Sequence, residues 1–101
     1  MTLHTYNKAQ DAGEKRLHIC LRMLASGDSL LLLEDGVYVA LQMHAGMPIH
    51  NMLPAGVALH ALTADLAARG ISARIPTDVT AIDYAGFVRL CLAHDRVVNW
   101  N

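Results

Sequence analysis

Ser29-Leu30-Leu31-Leu32-Leu33 followed by Glu34-Asp35-Gly36 is the stretch on which the fold turns. A continuous apolar run of this length, with no polar alternation, suits a strand covered on both faces, as in a parallel sheet. Two carboxylates and a glycine then end it where the chain has to turn. A parallel strand needs a crossover on each side, so the neighbouring segments are expected to be helices leading to further strands.

Outward from that strand, the chain reads as such an alternation. Upstream, Ser26-Gly27-Asp28 stops a helix whose Leu17, Cys20, Leu21 and Leu24 fall at i, i+3, i+4 and i+7, one apolar stripe. Asp11-Ala12-Gly13-Glu14 has the form of a capping box before that helix, and Leu3 to Tyr6 reads as a first strand. Downstream, Val37 to Met43 is expected as a short helix and Ala45 to Pro54 as a loop. Val57 to Leu62 reads as a strand, and Thr63 to Arg69 as a helix with Thr63 as cap and Gly70 as stop. Val79 to Asp83 is the fourth strand, Tyr84 to His94 a helix bringing Phe87, Val88, Cys91 and Leu92 near one another, and Arg96 to Trp100 the fifth strand. The expectation is an α/β three-layer sandwich with a mostly parallel sheet of about five strands flanked by helices, residues 1–101 forming one domain. Function in such sheets gathers at the carboxyl ends of strands, here Asn7-Lys8, Glu34-Asp35-Gly36, Leu62-Thr63 and Asp83-Tyr84.

Composition narrows the function classes. Of 101 residues 53% are apolar and only 17% charged, against about 25% charged in an average globular chain. No apolar run approaches the roughly 18 residues of a membrane span. A single small domain with this apolar excess predicts subunit contacts. Eight basic and nine acidic residues leave a formal charge of -1, and Lys15-Arg16 is the only basic pair, so direct nucleic-acid binding is not expected. The amino terminus lacks the apolar centre of a secretory signal, and Cys20 and Cys91 stand far apart, which reads as a cytoplasmic chain with reduced thiols.

The common catalytic signatures are missing. There is no GxGxxG, no GxxxxGK[ST] and no GxSxG. Six histidines, His4, His18, His44, His50, His60 and His94, are scattered, and Cys91 with His94 offers two ligands where a zinc site needs more, so neither a metal nor a cofactor is expected. Glu34 and Asp35 are adjacent and would point to opposite faces of an extended strand, a poor acid/base pair. Their plain role is capping and solvation of the turn, and the alternative is an acidic rim that seats a partner or orients a thiol. Cys20, on its helix stripe, reads first as a core cysteine, and so does Cys91.

Five segments, in order and in register, then carry a resemblance. They are Leu3-His4-Thr5, the run Leu30-Leu31-Leu32-Leu33-Glu34-Asp35-Gly36-Val37-Tyr38-Val39-Ala40-Leu41, Asp65-Leu66-Ala67-Ala68-Arg69-Gly70, Ile82-Asp83-Tyr84-Ala85-Gly86-Phe87-Val88-Arg89-Leu90, and Val97-Val98-Asn99-Trp100. Together they resemble the TusB/DsrH family over essentially the full length. The resemblance implies a small α/β subunit of a sulfurtransferase assembly, not a catalyst on its own. Family members pair with TusC/DsrF-like and TusD/DsrE-like subunits as a dimer of heterotrimers. In the tRNA branch, sulfur passes from a cysteine desulfurase through TusA to the TusBCD complex, then through TusE to the enzyme that thiolates the wobble uridine at carbon 2. In the other branch, DsrEFH serves dissimilatory sulfur oxidation. The principal sulfur-carrying cysteine belongs to the TusD/DsrE subunit.

Cys20 aligns with the cysteine that DsrH-like members carry in the first helix, which makes it the candidate persulfide carrier. Its chemistry would be thiolate attack on a donor persulfide, with Arg16, four residues back, or His18 lowering the thiol pKa. Cys91 has no such counterpart. Asp83 is expected to cap the last helix, Tyr84 to pack at a subunit contact, and Trp100 to anchor the last strand or an interface. The tRNA branch is the favoured expectation. A DsrH-like subunit of sulfur oxidation and a scaffold without a working thiol are the alternatives, with an unrelated flavodoxin-like binding module behind them.

Overall fold

The computed structural model describes residues 1–9, 15–44 and 46–100. Five parallel strands form the sheet: β1 (Thr2–Tyr6), β2 (Ser29–Leu32), β5 (Ala58–Leu62), β6 (Thr80–Ile82) and β7 (Arg96–Trp100), in the order β6-β5-β2-β1-β7. Three α-helices join them: α1 (Arg16–Met23), α2 (Thr63–Ala68) and α3 (Tyr84–Ala93). The sheet is therefore parallel throughout. The buried run at 29–32 sits at its centre, as its unbroken hydrophobicity requires.

The strand order places the helical layers. From β1 to β2, β5 and β6 the chain steps in one direction, and from β6 it returns across the whole sheet to β7. Right-handed crossovers therefore put α1 and α2 on one face and α3 on the other. The first face holds the main core, where Tyr6, Leu30, Leu32, Leu59 and Ala61 meet Leu17, Cys20, Leu21 and Leu24 below α1, with Val37, Val39 and Leu66. The stripe expected for α1 is buried as a unit. The second face buries Leu3, Leu31 and Leu62, and there α3 is tied down by His94, whose Nε2 lies 3.0 Å from Ser29 Oγ.

Three local expectations are corrected. The helix expected over Val37 to Met43 is a 3-10 helix at Glu34–Leu41, because Val37, Tyr38 and Val39 lose side-chain freedom in an α-helix. The loop expected at Ala45 to Pro54 holds ordered structure around the undescribed Ala45. The short hairpin of β3 (Met43–His44) and β4 (Met47–Pro48) is followed by a 3-10 turn at Ile49–Asn51. Thr63 does not cap α2. It is the first helical residue, Leu62 occupies the cap position, and no side chain caps there. The capping box proposed at Asp11 to Glu14 lies outside the described residues.

Candidate functional site

The carboxyl end of β2 is the best-defined polar site of the chain. After Leu33, whose amide still donates to the Tyr6 carbonyl at 3.1 Å, the backbone turns sharply at Glu34, with φ 52°. An L-residue in that left-handed region needs local support, and Asp65 of α2 supplies it by accepting the Glu34 amide on Oδ2 at 2.7 Å. Asp35 Oδ1 accepts both Nε and Nη2 of Arg69, at 3.1 and 2.8 Å, while Arg69 Nη1 donates to the Asp65 carbonyl at 3.2 Å. The hydrogen bond to Asp35 holds the guanidinium still more firmly protonated than usual.

Neither carboxylate caps a helix, since Leu33 stands at the cap position of the 3-10 segment. Asp35 is instead charge-paired, and the turn is a strut between β2 and α2. Gly36 completes it. A Cβ at that position would overlap the Tyr6 carbonyl, so only glycine allows β1 and the turn to approach so closely.

Cys20 lies away from this edge, in the middle of α1 and inside the core, 0% exposed. Burial pushes its thiol up to about 12, so almost no thiolate forms at neutral pH. His18 and Ile19 face solvent beside it, and Arg16 is half-buried at the first turn. Cys91 is half-buried on α3.

Asp83 caps α3 as expected, its Oδ1 accepting the Gly86 amide at 2.8 Å. Beyond the cap, α3 turns Tyr84, Val88 and Leu92, at i, i+4 and i+8, outward, and Leu92 is 81% exposed. Of the four residues grouped in the sequence, Phe87 and Cys91 lean toward the sheet while Val88 and Leu92 face solvent. Val97 of β7 is exposed as well.

A buried polar set links the first and last strands. Trp100 Nε1 donates to Nδ1 of His4 at 3.0 Å, and His4 Nε2 lies 3.3 Å from Asp28 Oδ2. Asp28 also accepts the amides of Thr2, at 2.8 Å, and Ala25, at 3.0 Å. Burial by itself would raise the Asp28 pKa, but the two amides and His4 outweigh it and hold the carboxyl below its usual range. Sequence reading placed Trp100 as an anchor but saw His4 only among scattered histidines and Asp28 only as a helix stop. The available signal was His4 at an inward position of an apolar strand.

Among the described residues no three His, Cys, Asp or Glu side chains are placed to hold a metal ion. None of the described helices is long and apolar enough to cross a membrane.

Comparison with known proteins agrees with this architecture. Residues 11–97 match the family model described as DsrH like protein. Proteins named TusB from Escherichia coli O81 (strain ED1a) and O6:K15:H31 (strain 536) are each 41% identical over 80 residues, covering 79% of this chain and 82% of theirs. Two solved structures share the fold. The crystal structure of the YchN protein from E. coli aligns with a TM-score of 0.68 at 23% identity over 98% of both chains. The solution structure of Tm0979 from Thermotoga maritima aligns with a TM-score of 0.65 at 21% identity, over 94% of this chain and 95% of that one. The extent of the family match and the identity to TusB together establish that this chain belongs to the TusB/DsrH family of sulfur-relay subunits.

Proposed function

We propose that this chain is the TusB-like subunit of a cytoplasmic TusBCD-like complex and supports 2-thiolation of the wobble uridine of tRNA. It does so by holding TusC- and TusD-like partners together, as one α/β domain. The observation that carries the choice of branch is the 41% identity to TusB over 79% of the chain. The apolar outward face of α3 supports a partner-bound life, since Leu92, Val88 and Tyr84 stand in water on the chain alone. Sulfur enters and leaves the assembly on TusA- and TusE-like carriers, and this chain touches no nucleic acid.

Within this proposal Cys20 is a packing residue. A thiol that is fully buried and pushed up to about 12 lacks both the access and the charge for attack on a persulfide. The carrier reading needs a rearrangement of α1 that exposes Cys20. A second reading, a DsrH-like subunit in sulfur oxidation, is favoured by one feature, the presence of that cysteine in the first helix.

The test is disruption of the gene followed by nucleoside analysis of bulk tRNA. Loss of the 2-thiolated wobble uridine, restored by the wild-type chain and by Cys20→Ala, is the expected result. Unchanged thiolation overturns the tRNA assignment, and a growth defect confined to reduced-sulfur medium replaces it with the oxidation reading.

A further inference from the structure

The two edges of the five-stranded sheet differ. β6 is three residues long, whereas β7 runs for five, Arg96-Val97-Val98-Asn99-Trp100, and pairs on one side alone, with β1. Its register against β1 is unbroken, from Thr2 with Arg96 to Tyr6 with Trp100, so no bulge twists the open side away. The strand holds no proline, glycine or lysine, and its one charge, Arg96, stands at its start. Arg96 to Asn99 are all exposed, although alternate residues point to opposite faces. Apart from Arg96, β7 thus lacks the devices that blunt a free edge. Beside it, Met1 and Met23, both exposed, line one cleft with Arg96 and Val98. An open backbone edge flanked by exposed apolar side chains is the surface that strand addition uses.

We propose that β7 pairs antiparallel with β7 of a second copy of this chain, about a two-fold axis at Val98, joining the two sheets edge to edge. The order of side chains along the strand selects this occupant. With all five residues paired, Val98 lies opposite Val98, Val97 opposite Asn99, and Arg96 opposite Trp100 of the other copy. Residues opposed in an antiparallel pair stand about 5 Å apart at Cβ. That separation brings a guanidinium over an indole, twice in the symmetric pair. Trp100 is already fixed for this contact. Its Nε1 donates to His4 Nδ1 at 3.0 Å, its ring stacks on His4, and it remains half-buried. In-register parallel pairing would instead set Arg96 beside Arg96, two like charges together. The pairing uses none of Tyr84, Val88 and Leu92, so it stands whether or not partners dock on α3.

Disulfide trapping on the full chain, in whatever assembly it purifies, tests this directly. A Cys91→Ser background leaves the buried Cys20 as the one native thiol. Under mild oxidation Val98→Cys should form a covalent dimer of this chain about tenfold faster than Thr80→Cys, an exposed position on the opposite edge, because residue 98 meets its own copy at disulfide distance. Chains carrying Val97→Cys and Asn99→Cys, mixed by co-expression, should link faster than either alone. Native mass spectrometry of the wild-type assembly should count two copies of this chain. Val98→Cys that links no faster than Thr80→Cys, or that links to a different subunit, overturns the pairing. So does a mixture of the other two variants that links no faster than its components. A wild-type assembly holding a single copy overturns it as well, and that result needs no variant to fold.

Discussion

The backbone of Gly36 lies against the carbonyl of Tyr6, so close that any side chain at position 36 would overlap it. That contact joins the end of β1 to the turn that follows β2. The same Tyr6 oxygen accepts the Leu33 amide at 3.1 Å. The two central strands therefore end together, and the acidic turn projects from a fixed point. Gly36→Ala must push this backbone apart and should cost about 1–3 kcal/mol, lowering Tm by about 5 °C or more. Thermal unfolding followed by circular dichroism reads it, and an unchanged Tm would show that the strand ends yield freely.

Glu34 at φ 52° is held in the left-handed region by its amide bond to Asp65. Asp65→Ala should destabilise by about 1–2 kcal/mol through loss of this charge-assisted bond. Glu34→Gly relieves the backbone strain and should be neutral or stabilising by up to about 1 kcal/mol. Arg69→Ala should matter less than Asp65→Ala, because the Asp35 partner is exposed and water screens the pair. Urea unfolding of the three variants gives the order, and Arg69→Ala as the most damaging would contradict it.

Asp28 carries a pH dependence whose sign follows from its lowered pKa. Its stabilising contribution is present above the unfolded-state value, about 3.9 for an aspartate, and is lost as pH falls through the lower folded value. Asp28→Asn should cost about 2–4 kcal/mol at neutral pH by leaving Thr2, Ala25 and His4 imperfectly paired. Stability curves of wild type and variant should converge as pH drops below about 4. Parallel curves over that range would show that Asp28 is not the group being titrated.

Under the proposed function, partners dock on the outward face of α3, which the fold itself does not need. Val88→Glu and Leu92→Glu place charges where side chains already face water, so each should change stability by about 0.5 kcal/mol or less. Both should abolish co-purification with the TusC- and TusD-like subunits, since a charge forced into an apolar contact is costly. Retention of both partners by the double variant would place the interface elsewhere.

The unbroken run at 29–32 and the period of Leu17, Cys20, Leu21 and Leu24 make the sheet and its first helix legible in the sequence. Hydrophobic burial sets both patterns and acts on contiguous residues. Asp83 was legible for a related reason, because a cap acts within its own turn. Less was visible where the determining contact is distant in sequence. Asp35 pairs with Arg69 and Glu34 with Asp65, each about thirty residues away, so the acidic turn read as a local cap. The set Asp28, His4 and Trp100 joins both ends of the chain, and no local spacing announces it. The 3-10 segment at 34–41 shows the remaining difficulty. Its apolar residues fit a helix, and their branched and aromatic shapes weaken an α-helix there, but no local pattern specifies the 3-10 form that replaces it.

The most direct test of the scaffold role is intact mass of the assembled complex after exposure to a persulfide donor, with wild-type chain and Cys20→Ala side by side. A buried thiol pushed up to about 12 predicts sulfur loading on a partner subunit and none on this chain, identically in both samples. One added sulfur on the wild-type chain, absent from Cys20→Ala, would make Cys20 a carrier and contradict the scaffold role.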